Sequence, residues 1–170
     1  SEVHLILNGV TIHNNDGAAI FCKKAKKVTI TLAEGSVNTL SDGAAYVFEE
    51  GEDEPDATLY AKHDLVLNGS GELYVTSAYG DAVKGKDALY ILGGSFTINA
   101  ADDGIIGRDL LYIADGSFLV TAANDAFKAT NDTDAASGNI MIDGGEFRLT
   151  AGADGIQAET SLRINDGTFS

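Results

Sequence analysis

Aspartates recur through the sequence at a fixed interval. Asp81, Asp103 and Asp125 are each twenty-two residues apart, and Asp154 follows in the same local context after an insertion. Each is followed by Gly or Ala and then by an apolar residue, as in Asp-Gly-Ile at 103–105. A fixed period of this length indicates a stack of repeated units, so we expect equivalent side chains to lie above one another in a column.

Such a column of carboxylates is a candidate cation site. Unit charges about 4.8 Å apart, the spacing of neighbouring strands, repel by about 1 kcal/mol in water and about 3–4 kcal/mol at an effective dielectric constant near 20. Ca²⁺ suits carboxylate and amide oxygens better than Zn²⁺ or copper does. The predicted metal ligands are Asp81, Asp102, Asp103, Asn124, Asp125 and Asp154. One alternative stays open, because Asp-Gly and Asn-Asp pairs are also ordinary turn formers.

Basic and aromatic residues recur near these aspartates. The candidates for carbohydrate binding are Lys84, Arg108, Lys128, Tyr90 and Tyr112. The two lysines follow aspartates of the column by three residues and the arginine by five. They could contact sugar carboxylates or balance the charge of the aspartates. The two tyrosines occupy equivalent positions in consecutive units and could form a platform for sugar rings. No nucleophile–base pair, phosphate-binding loop or pair of catalytic acids is recognisable, so no catalytic residue is predicted.

Short segments in which apolar and polar residues alternate, separated by glycine-containing turns, must position these residues. In the unit 101–121, Leu111 and Ile113 share one face of a strand, and Phe118 and Val120 share one face of the next. A third short run follows each aspartate of the column. The pattern predicts an all-β fold, a right-handed single-stranded parallel β-helix of about seven coils with three short strands per coil.

Composition restricts the class of protein further. The chain has 170 residues and a net charge of -15, which suits one domain, predicted to span residues 1–170. An acidic surface disfavours nucleic acid and anionic membranes as partners, and no apolar run is long enough to span a bilayer. The segment Glu49–Asp56 has six acids in eight residues and predicts a solvated loop. Because the last unit is incomplete, we expect a fragment of a longer chain.

The repeated units resemble a family of bacterial carbohydrate-binding β-helix domains found in clostridia and their relatives. The resemblance is carried by units of the form Ala-x-Asp-Gly-Ile, followed by a Leu/Ile strand and Gly-Gly-x-Phe, and extends from about Leu5 to Phe169. Members bind cellulose and acidic sugars such as polygalacturonate, and they are similar in architecture to calcium-dependent pectate lyases. The resemblance implies that the carboxylates of Asp81, Asp102, Asp103, Asp125 and Asp154 would bind calcium.

Three functions remain open at this point. The first is an extracellular, non-catalytic module, stabilised by Ca²⁺, that binds a polysaccharide, either acidic and polygalacturonate-like or cellulose. The second is a calcium-dependent, pectate-lyase-like enzyme, in which the resemblance implies a lysine base, either Lys84 or Lys128. The third is a structural stalk or adhesin repeat.

Overall fold

The chain folds entirely into β-strands and turns. The computed structural model describes residues 1–170 and contains twenty strands and no helix. The strands are β1 (Glu2–Leu7), β2 (Thr11–Asn14), β3 (Ile20–Cys22), β4 (Lys27–Leu32), β5 (Val37–Asp42), β6 (Ala57–Ala61), β7 (Asp64–Gly69), β8 (Glu72–Thr76), β9 (Asp81–Gly85), β10 (Ala88–Ile91), β11 (Ser95–Ala100), β12 (Ile105–Gly107), β13 (Leu110–Ile113), β14 (Ser117–Ala122), β15 (Phe127–Ala129), β16 (Asn139–Ile142), β17 (Glu146–Ala151), β18 (Ile156–Ala158), β19 (Ser161–Ile164) and β20 (Thr168–Phe169). With no helix in the chain, none is available to cross a lipid bilayer.

Every third strand joins the same parallel sheet. Sheet A contains β1, β4, β7, β10, β13, β16 and β19; sheet B contains β2, β5, β8, β11, β14, β17 and β20; sheet C contains β3, β6, β9, β12, β15 and β18. Each coil therefore contributes one strand to each sheet, and the seventh coil ends after its second strand. This confirms the predicted all-β parallel β-helix of about seven coils with three strands per coil. The handedness of the coil and the single-domain boundary stay predictions.

Phenylalanines stack along the axis of sheet B. The rings of Phe96 and Phe118 lie 5.1 Å apart at an interplanar angle of 12°, and those of Phe118 and Phe147 lie 4.9 Å apart at 8°. Phe169 continues the stack at 4.5 Å from Phe147. The pairing of β11, β14, β17 and β20 in constant register places these rings above one another. Phe96, Phe118 and Phe147 are therefore each packed against the ring of the next coil as well as against the core, whereas Phe169 ends the stack and is partly exposed.

The turn from sheet A to sheet B requires glycine. Gly116 has a φ of 138°, and a Cβ there would lie 2.9 Å from the ring of Phe118 and 3.1 Å from the carbonyl oxygen of Gly94. Gly94, Gly145 and Gly167 occupy the same position in other coils, also with positive φ. Glycine is the residue that tolerates this backbone conformation without strain. The repeated glycine before each phenylalanine thus sets the tight corner that brings the ring inward.

The acidic segment Glu49–Asp56 folds back onto the outer face of sheet C. Residues 49–53 are exposed, but Glu54 and Asp56 are half-buried. Glu54 forms ion pairs with Lys62, at 3.4 Å, and with Lys86. The prediction of a solvated loop is therefore wrong for its last three residues, because lysines that directly follow strands of sheet C attract the carboxylate of Glu54.

Candidate functional site

Four aspartates form a hydrogen-bonded ladder where the chain passes from sheet B to sheet C. The backbone N–H of Asp103 donates to Oδ1 of Asp81 at 3.2 Å, that of Asp125 to Oδ1 of Asp103 at 2.9 Å, and that of Asp154 to Oδ1 of Asp125 at 2.8 Å. We call these four residues the Asp column. The repeat spacing predicted this placement, and each of these hydrogen bonds joins an aspartate side chain to the backbone of the next coil.

Two lysines neutralise part of the Asp column. The Nζ atom of Lys128 lies 3.0 Å from Asp103 Oδ2 and 2.7 Å from Asp125 Oδ2. Nζ of Lys84 lies 3.1 Å from Asp81 Oδ2 and 2.6 Å from Oδ2 of Asp56. Burial alone would lower the pKa of each lysine, but the carboxylates around it raise that pKa above its ordinary value. Charge balance, one of the two roles predicted for these lysines, is therefore what their contacts provide.

Negative charge is most concentrated at one end of the Asp column. One carboxylate oxygen from each of Asp81, Asp102 and Asp103 lies within 4.8 Å of the others. Asp81 and Asp103 are buried, whereas Asp102 is exposed. Burial raises the pKa of Asp81 to about 7, and repulsion from Asp56 and Asp103 adds to this against the attraction of Lys84. We call these three residues the acidic cluster; its oxygen-only donor set suits a hard divalent cation such as Ca²⁺.

The other three predicted ligands lie farther along the column. Asn124 donates through Nδ2 to Asp103 Oδ1 at 2.9 Å. This bond does not involve the amide oxygen of Asn124. Burial alone would raise the pKa of Asp125, but its bonds with Lys128 and with the backbone N–H of Asp154 bring it below the ordinary value. Asp154 is exposed. None of these three belongs to the acidic cluster, and their role as metal ligands stays a prediction.

The predicted sugar-binding residues lie on different parts of the rod. Lys84 and Lys128 are on strands of sheet C, and Arg108 follows sheet C, where its Nη1 lies 3.1 Å from Asp109 Oδ1. Tyr90 and Tyr112 are paired neighbours on sheet A, as predicted, but their rings are inclined by 62° with centroids 6.2 Å apart. The structure therefore does not bring all five together, and the tyrosines form no single flat platform. Their binding role stays a prediction.

An aromatic group that sequence reasoning missed lies beside the acidic segment. The rings of Tyr46 and Tyr79 stack at 4.2 Å with an interplanar angle of 13°, and Phe48 lies 6.1 Å from each of them. The only signal in the sequence is the close spacing of Tyr46 and Phe48 just before the acids. Since Tyr79 lies in the next coil, no periodicity connects it to the other two rings.

The fold and the acidic cluster together define a parallel β-solenoid of the polysaccharide lyase-like type. The structure is similar to a solved structure described as "polysaccharide lyase-like protein from C. thermocellum, Gadolinium derivative", with a TM-score of 0.90 and 28% identity over 98% of this chain and 78% of that one.

Family membership follows from the sequence comparison. Residues 1–170 match the family described as carbohydrate-binding domain-containing protein, and the chain belongs to this family. A curated relative with the same description, from Acetivibrio thermocellus, is 38% identical over 100 residues, which cover 58% of this chain and 35% of the relative. The chain thus spans about a third of the length of that relative.

Asp81 is expected to make the stability of the metal-free protein depend on pH. Its pKa is about 7 in the folded state and 3.8 ordinarily, so between these values the folded state holds a proton that the unfolded state has lost. A raised carboxyl pKa stabilises the fold at low pH, and this contribution disappears as pH rises through about 7. Relative to Asp81→Asn, we expect wild type to lose roughly 2–4 kcal/mol between pH 4 and pH 8.

Urea unfolding of both proteins with chelator at several pH values measures this difference. Titrating groups that do not interact with Asp81 cancel in the comparison, since both proteins contain them. Parallel pH profiles for wild type and Asp81→Asn would contradict the prediction.

Proposed function

We propose that this chain is a non-catalytic module that binds polysaccharide outside the cell. Membership of the carbohydrate-binding family supports this, as does the similarity to a polysaccharide lyase-like protein. The single observation that carries the proposal is the acidic cluster, in which exposed Asp102 lies beside two buried carboxylates on a hydrogen-bonded ladder. Because the carboxylates of Asp81 and Asp103 are tied to the backbone of the next coil, two of the three acidic groups are in position before any ligand binds, which lowers the entropic cost of binding.

The acidic cluster would bind Ca²⁺ through Asp81, Asp102 and Asp103. The approach of three carboxylate oxygens to within 4.8 Å of one another supports this, because a shared cation would relieve their mutual repulsion. The similar solved structure is titled a gadolinium derivative, and gadolinium is a hard cation that, like calcium, takes oxygen ligands. Bound calcium would neutralise the cluster and offer coordination to a sugar carboxylate.

An acidic, polygalacturonate-like polysaccharide is the partner that this arrangement fits best. Without a cation, the net charge of -15 repels a uronate polymer. With calcium at the acidic cluster, a uronate carboxylate gains a positive partner at the exposed Asp102 side. Cellulose has no carboxylate, so it would gain nothing from the calcium and would need a different contact surface.

Calcium is expected to stabilise the folded protein and to be required for retention on polygalacturonate. At a calcium concentration of about 100 times Kd, the gain is about 2.7 kcal/mol, or roughly 5–10 °C in Tm for a domain of this size. Asp102→Ala should abolish the shift while leaving the stability without calcium nearly unchanged, because Asp102 is exposed. Thermal melts with calcium and with chelator, together with affinity electrophoresis in polygalacturonate, measure both effects.

The possible outcomes separate the parts of the proposal. If neither calcium nor chelator changes Tm, the proposed calcium site is wrong. If no member of a broad glycan panel binds the protein with calcium present, the proposed polysaccharide binding is wrong. That result would favour a structural stalk or adhesin repeat.

The lyase alternative is supported by the fold but not by its lysines. A lysine general base must lose its proton near the working pH. Lys84 and Lys128 each lie within about 3 Å of two carboxylates, and their pKa values are raised. Release of an unsaturated product that absorbs in the ultraviolet from polygalacturonate would establish the lyase instead.

A further inference from the structure

A cavity of about 180 Å³ lies between residues 46–55 and the first coil. Aromatic rings from Phe21, Tyr46 and Phe48 line it, and its charged groups are Lys23, Glu49, Glu52 and Glu54. We call this cavity the loop pocket. It lies outside the acidic cluster and contains none of the predicted metal ligands and none of the five residues predicted to bind carbohydrate.

Several contacts fix the shape of the loop pocket. The ring of Tyr46 stacks on Tyr79, and its hydroxyl donates to Oδ2 of Asp42 at 2.5 Å. The backbone N–H of Val47 donates to the carbonyl oxygen of Asp16 in the first coil at 2.9 Å. The far end of the segment is tied by the ion pairs of Glu54 with Lys62 and Lys86, which directly follow β6 and β9. A ligand would therefore meet aromatic walls that are already in position, so little ordering has to accompany binding.

The size and lining of the loop pocket suit a single sugar ring. Pockets for drug-sized ligands measure roughly 300–1,000 Å³, so this smaller cavity suits one ring of a longer chain. The C–H faces of a pyranose pack well against aromatic rings, while carboxylates accept hydrogen bonds from its hydroxyls. Pockets that combine aromatic walls with a few polar groups are the usual form of specific small-ligand sites.

The charges in the loop pocket offer a uronate no unpaired cation. Lys23 lies 3.7 Å from Glu49, and Glu54 is held by Lys62 and Lys86. The formal charges of these three lysines and of Glu49, Glu52 and Glu54 add up to zero. A sugar carboxylate would therefore gain no free positive partner there, whereas the hydroxyls of an uncharged sugar can donate to the carboxylate of Glu52, which forms no ion pair.

We propose that the loop pocket binds one uncharged pyranose ring of a polysaccharide, as a subsite separate from the acidic cluster. This proposal rests on the proposed function, since it assumes that the chain binds glycans. Tyr79, which backs the aromatic wall, precedes Asp81 of the acidic cluster by two residues. The back of the aromatic wall thus lies close in sequence to the acidic cluster, and together the two sites would recognise a polysaccharide that contains both neutral and acidic sugars.

Calorimetric titration with cellohexaose, a purely neutral probe, tests the subsite. We expect wild type to bind it with or without calcium, Phe48→Leu to bind about five- to tenfold more weakly because the aromatic face is lost, and Glu52→Ala about two- to tenfold more weakly because a hydrogen-bond acceptor is lost. Leu119→Ala, an exposed apolar position on sheet B, is the control and should bind as wild type does. Glu52 is exposed, so its variant remains folded.

The outcomes distinguish this proposal from the one on which it rests. Binding of cellohexaose by both variants with wild-type affinity would overturn the subsite and leave the carbohydrate-binding function intact. Binding of oligogalacturonate but not of cellohexaose by wild type would do the same. If wild type binds neither glycan, the proposed function itself fails.

Discussion

Asp103→Ala is expected to lower the free energy of unfolding by about 3–5 kcal/mol in metal-free buffer. Oδ1 of Asp103 accepts the backbone N–H of Asp125 and Nδ2 of Asn124, both at 2.9 Å, and Oδ2 accepts Nζ of Lys128 at 3.0 Å. The side chain is 6% exposed, so water cannot replace these bonds freely. Alanine would leave a buried N–H donor without a partner and would remove half of the lysine's compensation.

Urea denaturation of the variant and of a matched control checks this result. Asp102→Ala removes an adjacent carboxylate of the same acidic cluster, but its exposed side chain should cost no more than about 0.5 kcal/mol. Asp103→Asn should fall between the two, because its amide oxygen can still accept from the backbone of the next coil. Equal losses for Asp102→Ala and Asp103→Ala would show that the ladder contributes nothing specific to stability.

Phe118→Ala is the second change with a large expected effect, a loss of about 3–5 kcal/mol. The ring is 2% exposed and stacks between Phe96 and Phe147, and it also makes an edge contact with Phe127 at 5.7 Å. Alanine would leave a cavity that the rigid, hydrogen-bonded coils on either side cannot close. The loss should therefore exceed the transfer free energy of the side chain alone.

Leu119→Ala on the same strand is the control for this prediction. Its side chain is 46% exposed on the outer face of sheet B, so we expect a loss below about 1 kcal/mol. Chemical denaturation of both variants under one set of conditions measures the difference. A similar loss for the two would mean that the phenylalanine stack is no more important than the outer face of the strand.

The fold could be predicted from the sequence because the repeat and the strand alternation agree. Residues such as Leu111 and Phe118 recur every 22 residues, apart from one step of 29 across an insertion, and they alternate with variable outer residues. Both features have a single explanation in stacked coils. The glycine before each phenylalanine added an independent turn signal. The acidic insertion broke this regularity, and there the expectation of a solvated loop was wrong for its last residues.

The candidate site was predicted only in part. The column of Asp81, Asp103, Asp125 and Asp154 follows from the strand register alone, so the repeat spacing was sufficient to predict it. The ion pair of Lys84 with Asp56 was not predictable, because Asp56 belongs to the insertion. The sequence left open whether the lysines contact sugar or balance charge, and the distances favour charge balance in the free protein.

By itself, the sequence determined which residues share a column, since parallel strands in constant register carry equivalent positions into line. Only the tertiary structure decided which carboxylates come within reach of one cation, which of them are offset by lysine, and where an irregular segment encloses a cavity. The physical reason is that side-chain direction and the path of the insertion depend on packing between residues far apart in the chain. The contacts of Lys84 with Asp56 and of Tyr79 with Tyr46 arise in this way, and no periodicity encodes them.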